Sequence, residues 1–279
     1  MESSEVAITP QALFLTFLGV HVLSKPVAVS GASIVEVFGW LGVAPAATRS
    51  LLSRNTERKM LSRHKAGRKT YYSLTRHGSA ILEDGRGRVW QRCRDTEWDG
   101  QWTTVAVSIP EDVRHLRHRA RSRLGWAGFG NTGSGLWVAP GRHDVQELLG
   151  PGFDGIDLTV LIGRTEPPTT DRTLVSSAYD LDGIARHYVD FESRWARLDV
   201  SNLAGAEAFA ARIRLHAQWL SLGRVDPLLP PRLLPTEWPA ARADRSFRRV
   251  DAALVDVESA EVGGYLDSLT IEPDRSVSD

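Results

Sequence analysis

The sequence predicts an α+β chain with three successive parts. Near the N-terminus, helix-spaced apolar residues give way to two short strand-forming runs around a Gly-Arg turn. In the middle, strand and helix patterns alternate, and beyond residue 180 long stretches carry helical periodicity. At 279 residues the chain has room for about two or three domains.

Gln11 to Val22 sets Leu13, Phe14, Phe17 and Leu18 at helical spacing, with Pro10 just ahead, where a helix start tolerates it. Ser33 to Leu41 reads as a second helix stopped by Gly42, and Ala46 to Leu61 as a third. In the third, Thr48, Leu51, Leu52 and Asn55 fall at i, i+3, i+4 and i+7 and form the inward stripe. Arg49, Ser50, Ser53 and Arg54 are left on the opposite face. Leu61 to Lys65 and Thr70 to Leu74, joined by Ala66-Gly67-Arg68, predict a two-strand ribbon with Lys65, Arg68 and Lys69 near its tip. Three helices followed by a basic ribbon are the layout of a winged helix-turn-helix domain, here residues 1–78. Thr75 to Arg94 reads as an arginine-rich helix leading away, a linker (79–99) or dimer element.

From Gln101 the expected order is a strand at Trp102 to Ile109, a helix at Glu111 to Trp126, a hairpin of Phe129 to Thr132 with Leu136 to Ala139, a short helix at His143 to Leu149 and a strand at Ile156 to Ile162. Strand-helix-strand-strand-helix-strand is the ferredoxin-like split motif, assigned to residues 100–165. Glu166 to Thr170 reads as a linker. A helical C-terminal domain (171–270), with helices at Asp180 to Leu198, Gly205 to Leu222 and Arg245 to Leu266, surrounds a proline-rich crossing, Asp226 to Pro239. Residues 271–279 read as a disordered tail.

Net charge is zero, yet residues 1–100 hold 14 Lys or Arg against 9 Asp or Glu, a balance of +5, whereas residues 101–279 hold 20 against 25, a balance of −5. Between Arg49 and Arg76 nine basic residues face one acid, Glu57. Such a concentrated positive field on a small unit fits a DNA backbone. Arg49, Ser50, Ser53, Arg54, Arg58, Arg63, Lys65, Arg68, Lys69 and Tyr71 are therefore the candidate DNA-contact residues. Arginine suits guanine edges through paired hydrogen bonds, so Arg49 is assigned to base reading, and Lys65, Arg68 and Lys69 to phosphates. Tyr71 and Tyr72 alternate faces, so one packs inward and the other reaches the backbone.

No run of about 18 apolar residues exists, and Met1 to Pro10 has no signal-peptide layout, so the expectation is a cytoplasmic protein with no membrane partner. The single cysteine, Cys93, excludes an internal disulfide and a multi-cysteine zinc site. Residues 128–133 match GxGxxG, but a helix precedes and a strand follows, the reverse of the dinucleotide fingerprint; the glycines are expected to serve a hairpin and close packing. His115 and His118 sit among five arginines and read as a solvated basic face rather than a metal pair. Asp99 alone is thin support for a metal-dependent nuclease. No cofactor is expected, and no nucleophile elbow, zincin helix, P-loop or cysteine dyad is present, so no catalytic residue is assigned.

The stretches TRSLLSR with GRKTYYSLTRHG, WDGQW, GWAGFG with GLWVAP, and DPLLPPRLLPTEWP resemble, in this order, the PaaX family of bacterial repressors of phenylacetate degradation, and the resemblance spans nearly the whole chain. It implies a winged-helix N-terminus, a ferredoxin-like middle, a helical C-terminal domain, homodimeric binding to operator DNA, and release by an aryl-acetyl coenzyme A thioester, typically phenylacetyl-CoA. Asn55, Lys59 and Ala240 depart from the family pattern, which favours leucine, glycine and glycine there.

Arg186, His187, Arg194, Trp195 and Trp219 are the candidate effector residues, as aromatic walls with cationic anchors, although tryptophan most often serves the core. The function expected is a ligand-responsive, homodimeric transcriptional repressor. The alternatives are a winged-helix-fused enzyme, either a nuclease or acting on acyl-CoA, and a regulator of the same type with a non-CoA effector.

Overall fold

Pro10 supplies the fixed φ for the first turn of helix α1 (Pro10–Phe17), and the Thr9 hydroxyl caps it by accepting from the Ala12 amide at 3.2 Å. The computed structural model describes residues 8–90, 97–110, 113–133, 135–153, 156–261 and 265–271. Cys93, Glu111 and residues 272–279 lie outside them, as does the end of the expected Thr75 to Arg94 helix. The fold is mixed helix and sheet with two four-stranded antiparallel sheets, as an α+β chain requires. It divides into two compact units that do not follow sequence order: residues 1–91, 191–221 and 242–279 form one, residues 92–190 and 222–241 the other.

In the first unit, α1 runs on as a π-helical turn (Leu18–Val22) into strand β1 (Val27–Ser30), helix α2 (Gly31–Trp40), helix α3 (Pro45–Glu57), and the paired strands β2 (Leu61–Ala66) and β3 (Lys69–Leu74), followed by helix α4 (Arg76–Trp90). Far along the chain a short strand, β8 (Ser268–Thr270), pairs with β1, giving the order β2-β3-β1-β8. The core joins Phe14, Phe17, Phe38 and Leu51 to Phe209 and Ile213 of the long helix α9 (Gly205–Val225). Burying aliphatic and aromatic groups of this size stabilises by about 1.5–3 kcal/mol each.

The interior of this unit also holds charge. Arg212 of α9 donates to Asp251 at 2.8 Å and to Glu258 at 2.9 Å, both on helix α10 (Ala240–Glu261). His216 lies 2.8 Å from Asp251, and His21 is 3.4 Å from Glu258 and stacked on Phe209 at 4.3 Å. Burial, reinforced by the Arg212 charge, lowers the His21 pKa to about 3, so its ring is neutral. Burial alone would raise the Asp251 carboxyl, but His216 and Arg212 outweigh it and hold it at about 2.

The second unit contains strand β4 (Trp102–Ser108), helix α5 (Leu116–Trp126), strands β5 (Gly130–Asn131) and β6 (Leu136–Pro140), helix α6 (Val145–Leu149) and strand β7 (Asp157–Gly163), with sheet order β5-β6-β4-β7. Helix α7 (Asp171–Ala178) follows, opened by the Thr170 capping box, then helix α8 (Leu181–Ala196), which crosses into the first unit at Phe191. α5 starts later than Glu111, with His115 at its N-cap. Two glycines of the 128–133 stretch serve packing, and Gly133, at φ 78°, serves the turn. A Cβ on Gly130 would meet the Ala178 carbonyl at 2.6 Å, and Gly128, at φ 88°, faces the Pro227 carbonyl. Three of the four sequence stretches noted above, WDGQW, GWAGFG with GLWVAP, and DPLLPPRLLPTEWP, converge here: Trp98 and Trp102 meet edge to face at 5.2 Å, Arg232 stacks on Trp98 at 4.7 Å, and Tyr179 donates to the carbonyls of Gly128 (3.0 Å) and Val138 (2.7 Å). Among the described residues no helix is long and apolar enough to cross a membrane.

Candidate nucleic-acid interface

Thr48, Leu51, Leu52 and Asn55 are the buried residues of α3, as the spacing requires. The two polar members are satisfied: the Thr48 hydroxyl donates to the Ala44 carbonyl (3.3 Å), and the Asn55 amide donates to the Leu51 carbonyl (2.7 Å) while its oxygen accepts from Gln11 (3.2 Å). Burial of this stripe fixes the helix rotation, so Arg49, Ser50 and Arg54 stand exposed on the other side. Ser53 is half-buried and donates to Glu57 at 2.9 Å. Arg54 is exposed, and its Nε donates back to the Ser50 carbonyl at 3.4 Å.

Along the hairpin, Arg63, Lys65 and Arg68 are exposed, and Arg63 lies 5.9 Å over the Tyr72 ring. Arg58 is exposed at the end of α3. Among the described residues no carboxylate pairs with Arg49, Arg54, Arg58, Arg63, Lys65 or Arg68. Lys59 adopts φ 57°, a left-handed conformation that disfavours any residue with a Cβ by ~1 kcal/mol, and Thr75 ties down its carbonyl at 2.7 Å.

Two of the ten candidate residues are differently engaged. Lys69 is paired with Asp267 at 2.8 Å, a contact that raises its pKa and lowers that of Asp267. Tyr71, at 5% exposure, is the inward-facing tyrosine, and its hydroxyl donates to the same carboxylate at 3.2 Å. Asp267 precedes β8, and its backbone is held by Ser30 and Ser33. The partner of Lys69 and Tyr71 thus arrives from almost 200 residues away, beyond the reach of local sequence pattern.

Of the candidate effector residues, Arg194 and Trp195 line one cavity of about 730 Å³ in the first unit, together with Trp40, Arg197, Glu207 and Arg214. Trp219 belongs to the core: at 2% exposure it stacks on Phe247 at 4.9 Å and contacts Phe191. Arg186 is exposed and His187 half-buried on the stretch of α8 assigned to the second unit. The structure brings together two of the five. Trp40, Arg197 and Arg214 carry no signal in the sequence, since Trp40 is remote along the chain and the arginines belong to no motif. Among the described residues no group of three His, Cys, Asp or Glu could hold a metal ion.

Three domain families match in succession: PaaX-like protein over residues 9–78, PaaX protein central Cas2-like domain over 95–175, and PaaX-like protein C-terminal domain over 179–261. The chain belongs to the PaaX family. It is 26% identical over 219 residues to the transcriptional repressor PaaX of Escherichia coli strain K12, covering 74% of this chain and 68% of that protein. Among solved structures it is similar to the uncharacterized protein Rv0674 of Mycobacterium tuberculosis, with a TM-score of 0.58, 21% identity, and coverage of 91% of this chain and 99% of the other. The boundaries of the PaaX-like matches differ from the compact units: the C-terminal match contributes residues 191–221 and 242–261 to the first unit and residues 179–190 and 222–241 to the second.

Proposed function

We propose that the chain is a DNA-binding transcriptional repressor of the PaaX type, acting in the cytoplasm as a homodimer and released from its operator by a small aromatic acyl-CoA-like ligand. The observation that carries this reading is the exposed cationic surface of α3 and the β2-β3 hairpin, whose opposite face is locked into the core. A member of the same family, from Escherichia coli, is named as a transcriptional repressor.

In this reading residues 1–78 are a winged helix-turn-helix domain. α3 enters the major groove with Arg49, Ser50, Ser53 and Arg54, while Arg58, Arg63, Lys65 and Arg68 hold phosphates. Residues 100–165 are a ferredoxin-like module, in keeping with the alternating order of its elements and the central placement of β4 and β6. Residues 79–99 link the two, and residues 171–270 supply effector binding and dimerisation. Release requires the ligand to prefer the DNA-incompetent arrangement, because equal affinity for both shifts nothing.

Gel shifts on operator and scrambled duplexes at several salt concentrations test this. Arg49→Ala is expected to lose about 1–3 kcal/mol on the operator alone. Arg68→Ala is expected to weaken both duplexes alike and lower the salt slope by about one. Identical behaviour of the two variants would refute the assignment.

A further inference from the structure

The cavity of the first unit touches the end of α2, the helix before α3, through Trp40, which lines it. Arg214 lines it and also donates to the Trp40 carbonyl at 3.2 Å. Trp40 is the last residue of α2, so this carbonyl is one of the helix-end acceptors that intrahelical bonding leaves open. Leu41 and Val43 follow it into the core, and α3 begins at Pro45. The Trp40 ring also forms part of the cavity wall and is wedged edge-on against Phe209 (5.8 Å) and Tyr265 (4.9 Å). A change at Trp40 is therefore passed to the α2–α3 turn with few freely rotating side chains between.

The lining chemistry selects a ligand class. Arg194, Arg197 and Arg214 outnumber the single carboxylate, Glu207, whose oxygen is partly occupied in accepting the Ala204 amide at 3.1 Å. Trp40 and Trp195 supply flat apolar wall, and Trp195 is held in orientation by its 2.6 Å bond to Gln218. A volume of about 730 Å³ lies within the range of small-molecule sites. Excess guanidinium beside indole rings suits an organic anion with a planar apolar body.

We propose that this cavity binds an aromatic anion, and that Arg214 couples the site to the reading helix by leaving the Trp40 carbonyl for the bound anion. Loss of that donor loosens the end of α2 and the turn that sets α3. This rests on the reading of α3 as the DNA-contacting helix, and it adds the residue through which a ligand acts on it.

Tryptophan fluorescence of the full chain, titrated with 2-naphthoate, 2-naphthyl phosphate and the neutral analogue 2-naphthalenemethanol, tests the cavity. The two anions separate carboxylate from phosphate recognition. Saturable quenching by at least one anion, weakened at least tenfold by Arg197→Ala, with no saturation by the alcohol, is the expected result. Equal binding by the alcohol, or no change in Arg197→Ala, would overturn it. Coupling is read by fluorescence anisotropy of a labelled duplex. The bound anion is expected to weaken DNA binding by wild type, and Arg214→Ala to weaken it several-fold without ligand. Arg214→Lys, which keeps a donor, is expected to restore part of the DNA affinity and guards against a folding artefact. Full DNA affinity in Arg214→Ala would sink the coupling. A wild-type chain that bound no duplex would instead overturn the proposed function, while the naphthyl titration would still decide the cavity.

Discussion

The two compact units bury polar groups by different means. The first threads charge through its interior: Arg212 bridges two carboxylates of α10, and two histidines flank the bridge. The second relies on neutral donors. Tyr179 spans two backbone carbonyls, and its buried carboxylate, Asp226, accepts from the Tyr188 hydroxyl and the Leu228 amide. Charge held in a low-dielectric interior is strongly linked to pH and to each partner's presence, whereas neutral hydrogen bonds are not. The unit that carries the cationic surface thus also holds a network of paired charges whose contribution depends on pH.

The sharpest way to break this contrast is Arg212→Ala, which takes from Asp251 and Glu258 the guanidinium they share. We expect a loss of about 3–5 kcal/mol by denaturant unfolding, the cost typical of orphaning a buried ion partner. Next comes pH. In the unfolded chain His21 takes up a proton near its ordinary pKa of about 6.5, whereas in the fold it stays neutral down to about 3. The unfolded state therefore binds more protons between those values. The His21 contribution is complete above about pH 6.5 and declines on acidification by roughly 1.4 kcal/mol per unit. At a test pH of about 4.5 the deficit relative to pH 7 is expected to reach about 2–3 kcal/mol and to be absent from the His21→Phe variant. Below it Asp251 adds its own loss, since a depressed carboxylate stabilises only while ionised.

In the second unit, Tyr179→Phe removes a donor from two buried carbonyls and is expected to lose about 1–3 kcal/mol. That loss should be the same at pH 5 and pH 8, because burial raises the Tyr179 pKa far above this range. An acid-dependent loss there would erase the distinction between the units. The smallest effect concerns the surface. Asp267→Asn frees Lys69 and should tighten binding to any duplex by ~2- to 3-fold at low salt, as one more cation meets a phosphate.

Much of the first 90 residues was legible because periodicity there is local. The α3 stripe needed only the spacing of Thr48, Leu51, Leu52 and Asn55, and the hairpin needed only its turn at Gly67. β1 and β8 escaped notice because strands of four and three residues carry too little alternation, and both exist by virtue of pairing with partners distant in sequence. α7 lay hidden behind the linker residues that cap it. At the cavity, Arg194 and Trp195 could be picked by residue type, but no pattern separates Trp195, which lines it, from Trp219, which the core absorbs. Lys59 carried its signal openly: a lysine where the family favours glycine sits at positive φ.

Strand β8 closes against β1 through residues more than 230 positions apart, the Ser30 amide bonding to the Asp267 carbonyl at 2.8 Å. During synthesis the amino-terminal helices can form early, yet their sheet keeps a raw edge until translation passes Thr270. A nascent or prematurely terminated polypeptide would expose that edge to neighbouring chains, and ribosome stalling upstream of β8 should leave a species prone to aggregate.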